Sequence, residues 1–306
     1  MKKKLLTVLI ALSALLLSAC GQSATVPTQD TTAPAATAAP TTASETTSAN
    51  VDKNKTYEYE VREIWVENQG EKIYGEAYIP KTDGKSPLIL TSHGMGSNHV
   101  SGASYAKKYA PRGFAVYTWD FRGGSNKNNE NRSDGSNLEM SVMTEVSDVE
   151  VILEAAKKWD FVDTDRIFLQ GGSQGGLVSA ISGVRHEEEI AGLILLYPAY
   201  GMAALGDSYS DDMPEEIEIG SMTVGKPFFR DMIGYDVRDE IPDFDKPVLI
   251  LQGSEDNIVL PSVTRAAADL YPDAEYHIIE GAGHGFSGEH HDEATQYALD
   301  FLFRHI

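Results

Sequence analysis

The sequence predicts an α/β domain with a mostly parallel central sheet flanked by helices, and three observations predict it. Short apolar runs recur along the chain: Leu88-Ile-Leu-Thr91, Phe114-Ala-Val-Tyr-Thr-Trp119, Ile167-Phe-Leu169, Leu193-Ile-Leu-Leu196, Val248-Leu-Ile-Leu251 and Tyr276-His-Ile-Ile279. Runs that are apolar at successive positions, not only at alternate ones, belong to strands buried on both faces. Amphipathic stretches separate them, and strands alternating with helices are the order of a parallel sheet covered on both sides. The third observation is an interruption. From about residue 199 to 246 there is no buried strand, only mixed aromatic, Gly, Pro and acidic residues. A connection that long inside a compact domain has a structure or task of its own, and it reads as a cap insertion.

Taken in order, the chain opens with the basic Met1-Lys-Lys-Lys4, an apolar stretch from Leu5 to Leu17, and the small residues of Leu17-Ser-Ala-Cys20. This is the layout of an export signal over residues 1–19, and its apolar part is too short for a spanning helix. Gln22 to Asn50 is almost all Thr, Ala, Ser and Pro. Such a segment cannot bury enough surface to offset its chain entropy, so residues 20–51 read as a tether and 52–306 as the folded domain. Tyr57 to Val66 and Lys72 to Ile79 alternate in polarity around the turn signal Asn68-Gln-Gly70, which predicts an antiparallel pair at a sheet edge. Helices are predicted at Ser101 to Ala110, at Glu139 to Trp159 with Val142, Val146, Val149 and Leu153 at helical spacing, at Leu177 to Ser182, at Ser262 to Leu270 and at His291 to Phe303.

Charge and cysteine usage exclude some classes. With 46 acidic against 25 basic residues the net charge is −21, a surface that repels nucleic acid and anionic head groups. Nucleic acid is therefore not expected as a partner. The single cysteine, Cys20, excludes a disulfide within the chain. Leu17-Ser-Ala-Cys20 resembles the lipobox of bacterial lipoproteins, which implies that Cys20 is lipidated and anchors an exported protein to the outer face of the cell membrane. The membrane link is then the lipid alone, and more than one acyl chain makes it lasting.

The chemistry is carried by Gly171-Gly-Ser-Gln-Gly175, which follows the Ile167 run and precedes a predicted helix. It matches G-x-S-x-G, a strand-to-helix elbow whose glycines let neighbouring backbones pass close to a strained serine. A serine hydroxyl needs a base to take its proton and an acid behind the base. In a sheet of this kind the three follow in the order Ser, Asp or Glu, His, each past a strand. Ser173 is the nucleophile, Asp256 follows Val248 to Leu251, and His284 sits in a glycine loop after Tyr276 to Ile279. Glu255 is the rival acid. His277 falls inside a strand, and His290 and His291 open the last helix, so His284 is the preferred base. Two N–H donors are required for an oxyanion, and Gln174, after the nucleophile, and Met95, in the turn Ser92-His-Gly-Met-Gly96, are placed to supply them. His93 and His99 have no third ligand at metal spacing, so no metal or cofactor is called for. His93 reads as a residue that shapes the turn.

The order of His93-Gly-Met-Gly96, Asp120-Phe-Arg-Gly-Gly-Ser125, Gly171 to Gly176, Gly253-Ser-Glu-Asp-Asn-Ile-Val259 and Gly281-Ala-Gly-His-Gly-Phe286 resembles the α/β-hydrolase superfamily over nearly all of residues 60–306. Within it, Ser-Gln-Gly-Gly, a cap after Tyr197 and Glu280 to Phe286 are similar to bacterial cinnamoyl (feruloyl) esterases. The resemblance implies an α/β-hydrolase fold with Ser173, Asp256 and His284 as triad and Met95 and Gln174 as oxyanion donors. Two departures bear on the substrate: Gly172 stands where those esterases usually carry His, and Arg122-Gly-Gly-Ser125 is compressed relative to theirs.

The function expected is hydrolysis of a small-molecule carboxylic ester, short-chain or aryl, through an acyl-serine. The alternatives are a peptidase of the prolyl oligopeptidase kind, against which stands the lack of a preceding propeller domain, and a surface lipoprotein that only binds a ligand, which needs no complete triad. For the cap, Tyr200, Tyr209, Phe228, Phe229 and Tyr235 are expected to line an acyl pocket over Ser173. Its carboxylates, among them Asp207, Asp211, Asp212, Glu215, Glu216 and Glu218, are expected to disfavour anionic substrates.

Overall fold

The structure, a computed structural model, describes residues 47–126, 130–208, 213–220 and 222–306. The expected edge pair is a long hairpin, β1 (Tyr59–Asn68) and β2 (Glu71–Pro80), antiparallel throughout. The chain then runs through β3 (Ser86–Ser92), α1 (His99–Tyr109), β4 (Ala115–Trp119), α2 (Val142–Ala156), β5 (Val162–Gly172), α3 (Gln174–Arg185) and β6 (Gly192–Leu196). After the insertion come β9 (Val248–Gly253), α6 (Pro261–Ala268), β10 (Ala274–Ile279) and α7 (Gly288–Arg304). The sheet order is β1-β2-β4-β3-β5-β6-β9-β10, parallel from β4 to β10. β2 pairs β4 antiparallel, so the expected edge pair is joined to the parallel sheet without a gap.

Strand side chains alternate between two cores. Leu88, Leu90 and Leu169 point to the face covered by α2 and α3, with Val146, Val149, Leu177 and Val178. Ile89, Phe168 and Ile194 point to the other face, against Ala103, Tyr105 and Tyr109 of α1 and Ala298 and Leu302 of α7. This two-sided burial is why the runs lack polar alternation. The sequence leaves β3 toward β4 on one side and returns through β5 on the other, so the order reverses at β3 and β5. Ligand sites in open α/β sheets lie outside the carboxyl ends of strands at such a reversal.

Two expectations change in detail. The folded part starts before residue 52: Ser48 bridges Lys85, Ala49 is buried, and Arg166 donates to the Ala49 carbonyl at 3.0 Å. The insertion, in turn, contains a strand pair where no buried strand was expected. It holds α4 (Met202–Asp207), an antiparallel hairpin of β7 (Glu216–Ile219) and β8 (Met222–Gly225), and α5 (Lys226–Arg230). Met222, Val224, Phe228 and Phe229 pack with Met140 as a small core of their own. The hairpin escaped the sequence reading because its strands are four residues each and outside the main sheet.

Candidate active site

Ser173 stands between β5 and α3 with φ 55° and ψ −121°, outside the allowed regions for an L-residue, where the sharp strand-to-helix turn holds it. The turn closes only because Gly175 lacks a side chain: a Cβ there would lie 2.4 Å from the carbonyl oxygens of Ser92 and His93. That close approach brings the β3 turn against the nucleophile. His284, in the loop after β10, has Nε2 3.0 Å from Ser173 Oγ, and its Nδ1 is 2.9 Å from Asp256 Oδ2.

Asp256 is buried, whereas Glu255 beside it is exposed. The Asp256 carboxylate also accepts from the amides of Ile258 and Val259, each at 2.9 Å, and from Gln252 Nε2 at 3.1 Å. Burial alone would raise its pKa, but the hydrogen bonds from His284, Val259 and Ile258 outweigh burial and hold the carboxyl below its ordinary value. An ionised acid behind Nδ1 fixes Nε2 as the ring nitrogen that faces the serine. His277 stacks on Tyr297 and His291 packs against Tyr105, both away from this trio.

Of the two amides expected at the oxyanion, Gln174 follows Ser173 in the chain and Met95 lines the cavity beside it. Gln174 N–H is the first of α3, a position with no intrahelical acceptor, and Met95 N–H donates to no backbone carbonyl among the described residues. His93 shapes the Met95 turn as expected: Nδ1 is 2.8 Å from the Gly94 carbonyl, and Nε2 accepts from Phe121 N–H at 3.0 Å. Burial pushes the His93 pKa down to about 4, so the ring stays neutral and can accept. The Phe121 loop is tied down by Arg122, whose Nε donates to buried Asp148 at 2.7 Å. His99 pairs with Asp120 at 2.6 Å and fixes the start of α1 to the end of β4. No group of three or more metal-ligating side chains is found among the described residues.

A cavity of about 220 Å³ opens beside Ser173 and His284 and runs toward α1. Its lining includes Met95, Tyr105, Gln170, Leu196 and Tyr197 and, among the described residues, no carboxylate, lysine or arginine. None of the four described cap aromatics, Tyr200, Phe228, Phe229 and Tyr235, lines it. Tyr200 is buried with its hydroxyl 2.8 Å from that of Tyr271, Phe228 and Phe229 lie in the small core of the insertion, and Tyr235 packs on the main core. The expectation of substrate contact is corrected for these four, because Phe228 and Phe229 pack the insertion's own core while Tyr200 and Tyr235 pack on the main one. Tyr209, like Asp211, Asp212 and Cys20, lies outside the described residues.

The structure adds residues that the motifs did not single out. Tyr197 has φ 39°, lines the cavity and meets the His284 ring edge-on at 4.9 Å between centroids. Glu145 is 1% exposed on α2 and accepts from the Gln174 side chain at 2.8 Å, which holds the residue after the nucleophile. Burial is the main cause that pushes its pKa up, to about 8, with nearby Asp148 adding to it against the Gln174 hydrogen bond. A glutamate beside Val142, Val146 and Val149 on an inward stripe was the available signal.

A mostly parallel sheet with a serine, histidine and aspartate at the ends of its strands defines a serine hydrolase of the α/β-hydrolase fold. The family comparison is more particular: residues 98–306 match the prolyl oligopeptidase family, and the chain belongs to it. An uncharacterized 31.7 kDa protein of the traX-finO intergenic region of Escherichia coli is 31% identical over 99 residues, 32% of each chain, so the match spans about a third of that relative. Among solved structures, Est1E from Butyrivibrio proteoclasticus with ferulic acid bound superposes with a TM-score of 0.71 at 22% identity, over 79% of this chain and 98% of that one. An esterase from Exiguobacterium antarcticum gives 0.60 at 17% identity, over 79% and 99%. At these identities the likeness is one of fold.

Proposed function

We propose that the protein is a serine esterase that hydrolyses uncharged carboxylic esters, short-chain or aryl, through an acyl-serine intermediate. The observation that carries the reading is the Ser173–His284–Asp256 chain of hydrogen bonds at 3.0 and 2.9 Å, ending on a buried carboxylate held ionised. Ser173 Oγ attacks the ester carbonyl carbon as His284 Nε2 takes its proton. The oxyanion is received by the Met95 and Gln174 amides, and His284 then returns the proton to the departing alcohol oxygen. Water, deprotonated by the same imidazole, attacks the acyl-serine to release the acid and restore Ser173. Ferulic acid bound to Est1E, an aryl carboxylic acid of the kind an aryl ester would release, and the esterase from Exiguobacterium antarcticum support this class of substrate, and so does a cavity without a fixed charge among the described residues.

The family match favours a second reading, hydrolysis of small peptides, since the same trio also cleaves amides. Among the described residues the cavity has no carboxylate to hold a peptide's ammonium group, which favours the ester. The export signal and the lipidation of Cys20 remain part of the proposal, as an enzyme tethered at the outer face of the membrane. Purified protein is expected to react with a fluorophosphonate at Ser173, and to hydrolyse p-nitrophenyl esters faster than the p-nitroanilides of dipeptides. A preference for the anilides would move the assignment to a peptidase, and a lack of labelling would leave only a binding protein.

A further inference from the structure

The cavity beside Ser173 has a polar floor that the triad does not use. Thr91 on β3 and Gln170 on β5 are register partners on the face covered by α1, which contributes Tyr105. All three line the cavity, and they are 4%, 0% and 7% exposed. Thr91 Oγ1, Gln170 Nε2 and Tyr105 Oη are all buried without a hydrogen-bond partner. Tyr109 Oη donates to Gln170 Oε1 at 3.0 Å, and in this arrangement Nε2 is the end without a partner among the described residues. Buried polar atoms are normally paired, and an unpaired one is costly to keep. Here three such atoms belong to residues that line one cavity next to a nucleophile, which marks a place where a ligand supplies the partner.

The chemistry of that partner follows from the donors. An amide N–H offers only protons, and the two hydroxyls can offer theirs, so the guest presents an acceptor oxygen. Among the described residues the lining has no Lys or Arg to pair with a carboxylate guest, and the neutral His93 adds no charge. At about 220 Å³ the cavity is below the roughly 300–1,000 Å³ of pockets for drug-sized ligands, which excludes a long acyl chain. Leu196 and Tyr197 give apolar walls between the serine and the floor.

We propose that this cavity selects a short, uncharged substituent carrying an ether, hydroxyl or carbonyl oxygen a few bonds from the scissile carbonyl, held by Gln170, Tyr105 and Thr91. The proposal rests on the esterase reading and narrows its substrate class from simple short-chain esters to oxygenated ones. The substituent can belong to the acyl or to the alcohol half, and the test has an arm for each.

The acyl arm compares p-nitrophenyl 3-methoxypropionate with p-nitrophenyl pentanoate, which differ by one oxygen in place of one methylene. The alcohol arm compares 2-methoxyethyl acetate with butyl acetate by acid release at constant pH. In one arm the oxygenated ester is expected to have a kcat/KM about tenfold higher or more, since a site built to pair with an oxygen rejects the analogue that lacks it. Tyr105→Phe and Gln170→Met are each expected to bring that ratio several-fold closer to one. Because the same two esters are compared in every variant, their intrinsic reactivities cancel. If Gln170→Met does not fold by circular dichroism, Tyr105→Phe alone decides. Turnover with ratios within about twofold of one in both arms, or a ratio that the folded variants leave unchanged, overturns the proposal while the esterase reading stands. No turnover of any of the four esters by protein that a fluorophosphonate labels overturns both.

Discussion

At the scale of the residue, the geometry fixes which side chains matter and at what pH. Ser173→Ala and His284→Ala are each expected to lower kcat by about 10⁴-fold or more, and the double variant to be little worse, because the trio acts as a unit. Asp256→Asn is expected to be severe and Glu255→Gln mild, since one carboxylate is buried on Nδ1 and the other is exposed. Steady-state kinetics on a p-nitrophenyl ester check both, and the reverse order would move the acid to Glu255. The carboxyls have opposite linkage signs. The lowered pKa of Asp256 contributes stability that is present above the ordinary carboxylate value and lost as pH falls below it. The raised pKa of Glu145 contributes stability that is full below pH about 4.5 and is lost as pH rises toward about 8. Urea unfolding at pH 5, 7 and 9 is therefore expected to show Glu145→Gln gaining on the native protein as pH rises, by on the order of a few kcal/mol at pH 9. A gap that does not change with pH would show that Glu145 is ionised in the fold throughout.

At the scale of the element, the same contacts explain how α2, α3 and the β3 turn are held in register. Gln174 Nε2 donates to Glu145 while Gln174 Oε1 is buried without a partner, so a protonated Glu145, or a glutamine in its place, can return a hydrogen bond to it. Glu145→Gln is thus expected to keep activity at neutral pH and to lose less of it above pH 8, where Glu145→Leu loses activity throughout. Gly175→Ala is expected to be more damaging than either, since its Cβ meets two backbone carbonyls that cannot rotate away, and it should destabilise the fold by about 1–3 kcal/mol while lowering kcat. The elbow, the acid loop and the histidine loop were legible because their chemistry demands glycines, an acid and a histidine at strand ends in a fixed order. The cavity floor was not, because Gln170 is 79 residues from Thr91 and 65 from Tyr105, and all three read as ordinary core positions until the sheet register joins β3 to β5. The insertion was misread for a related reason: aromatic residues that pack a small local core and aromatic residues that line a pocket have the same composition. Its structure gives it a different task. Met95 packs against its core and a Cβ on Gly96 would lie 2.9 Å from Met222 Sδ, so the hairpin buttresses the oxyanion turn. Met222→Ala is expected to lower kcat more than it changes KM on the ester panel, and a change in KM alone would return the insertion to substrate binding.

At the scale of the whole molecule, the question is where the working unit begins and what ties it to a surface. No helix among the described residues is long and apolar enough to cross a membrane, so a membrane link, in the reading proposed here, depends on Cys20. The strongly negative chain, at −21, adds no attraction to anionic head groups and leaves the lipid to do all of the holding. Cys20→Ser is therefore expected to move the protein out of the detergent-sensitive membrane fraction with its specific activity unchanged, and continued membrane fractionation would refute the lipid anchor. Where the tether can be cut is set by contacts rather than by composition. Thr and Ser continue to Ser48, but the bridge from Ser48 to Lys85, the burial of Ala49 and the Arg166 guanidinium on the Ala49 carbonyl already belong to the domain. The Ala49 N–H also donates to the Lys85 carbonyl at 2.8 Å, which fixes the chain just ahead of β3. Removing residues 1–46 leaves all of these in place, whereas removing 1–51 also exposes one end of β3 and takes away an acceptor from Arg166. The shorter truncation is expected to match the melting temperature of the mature protein, and the longer one to melt several degrees lower, consistent with the loss of about 1–2 kcal/mol from hydrogen bonds of this kind. Equal melting temperatures for the two would put the domain boundary at residue 52, where composition alone had placed it.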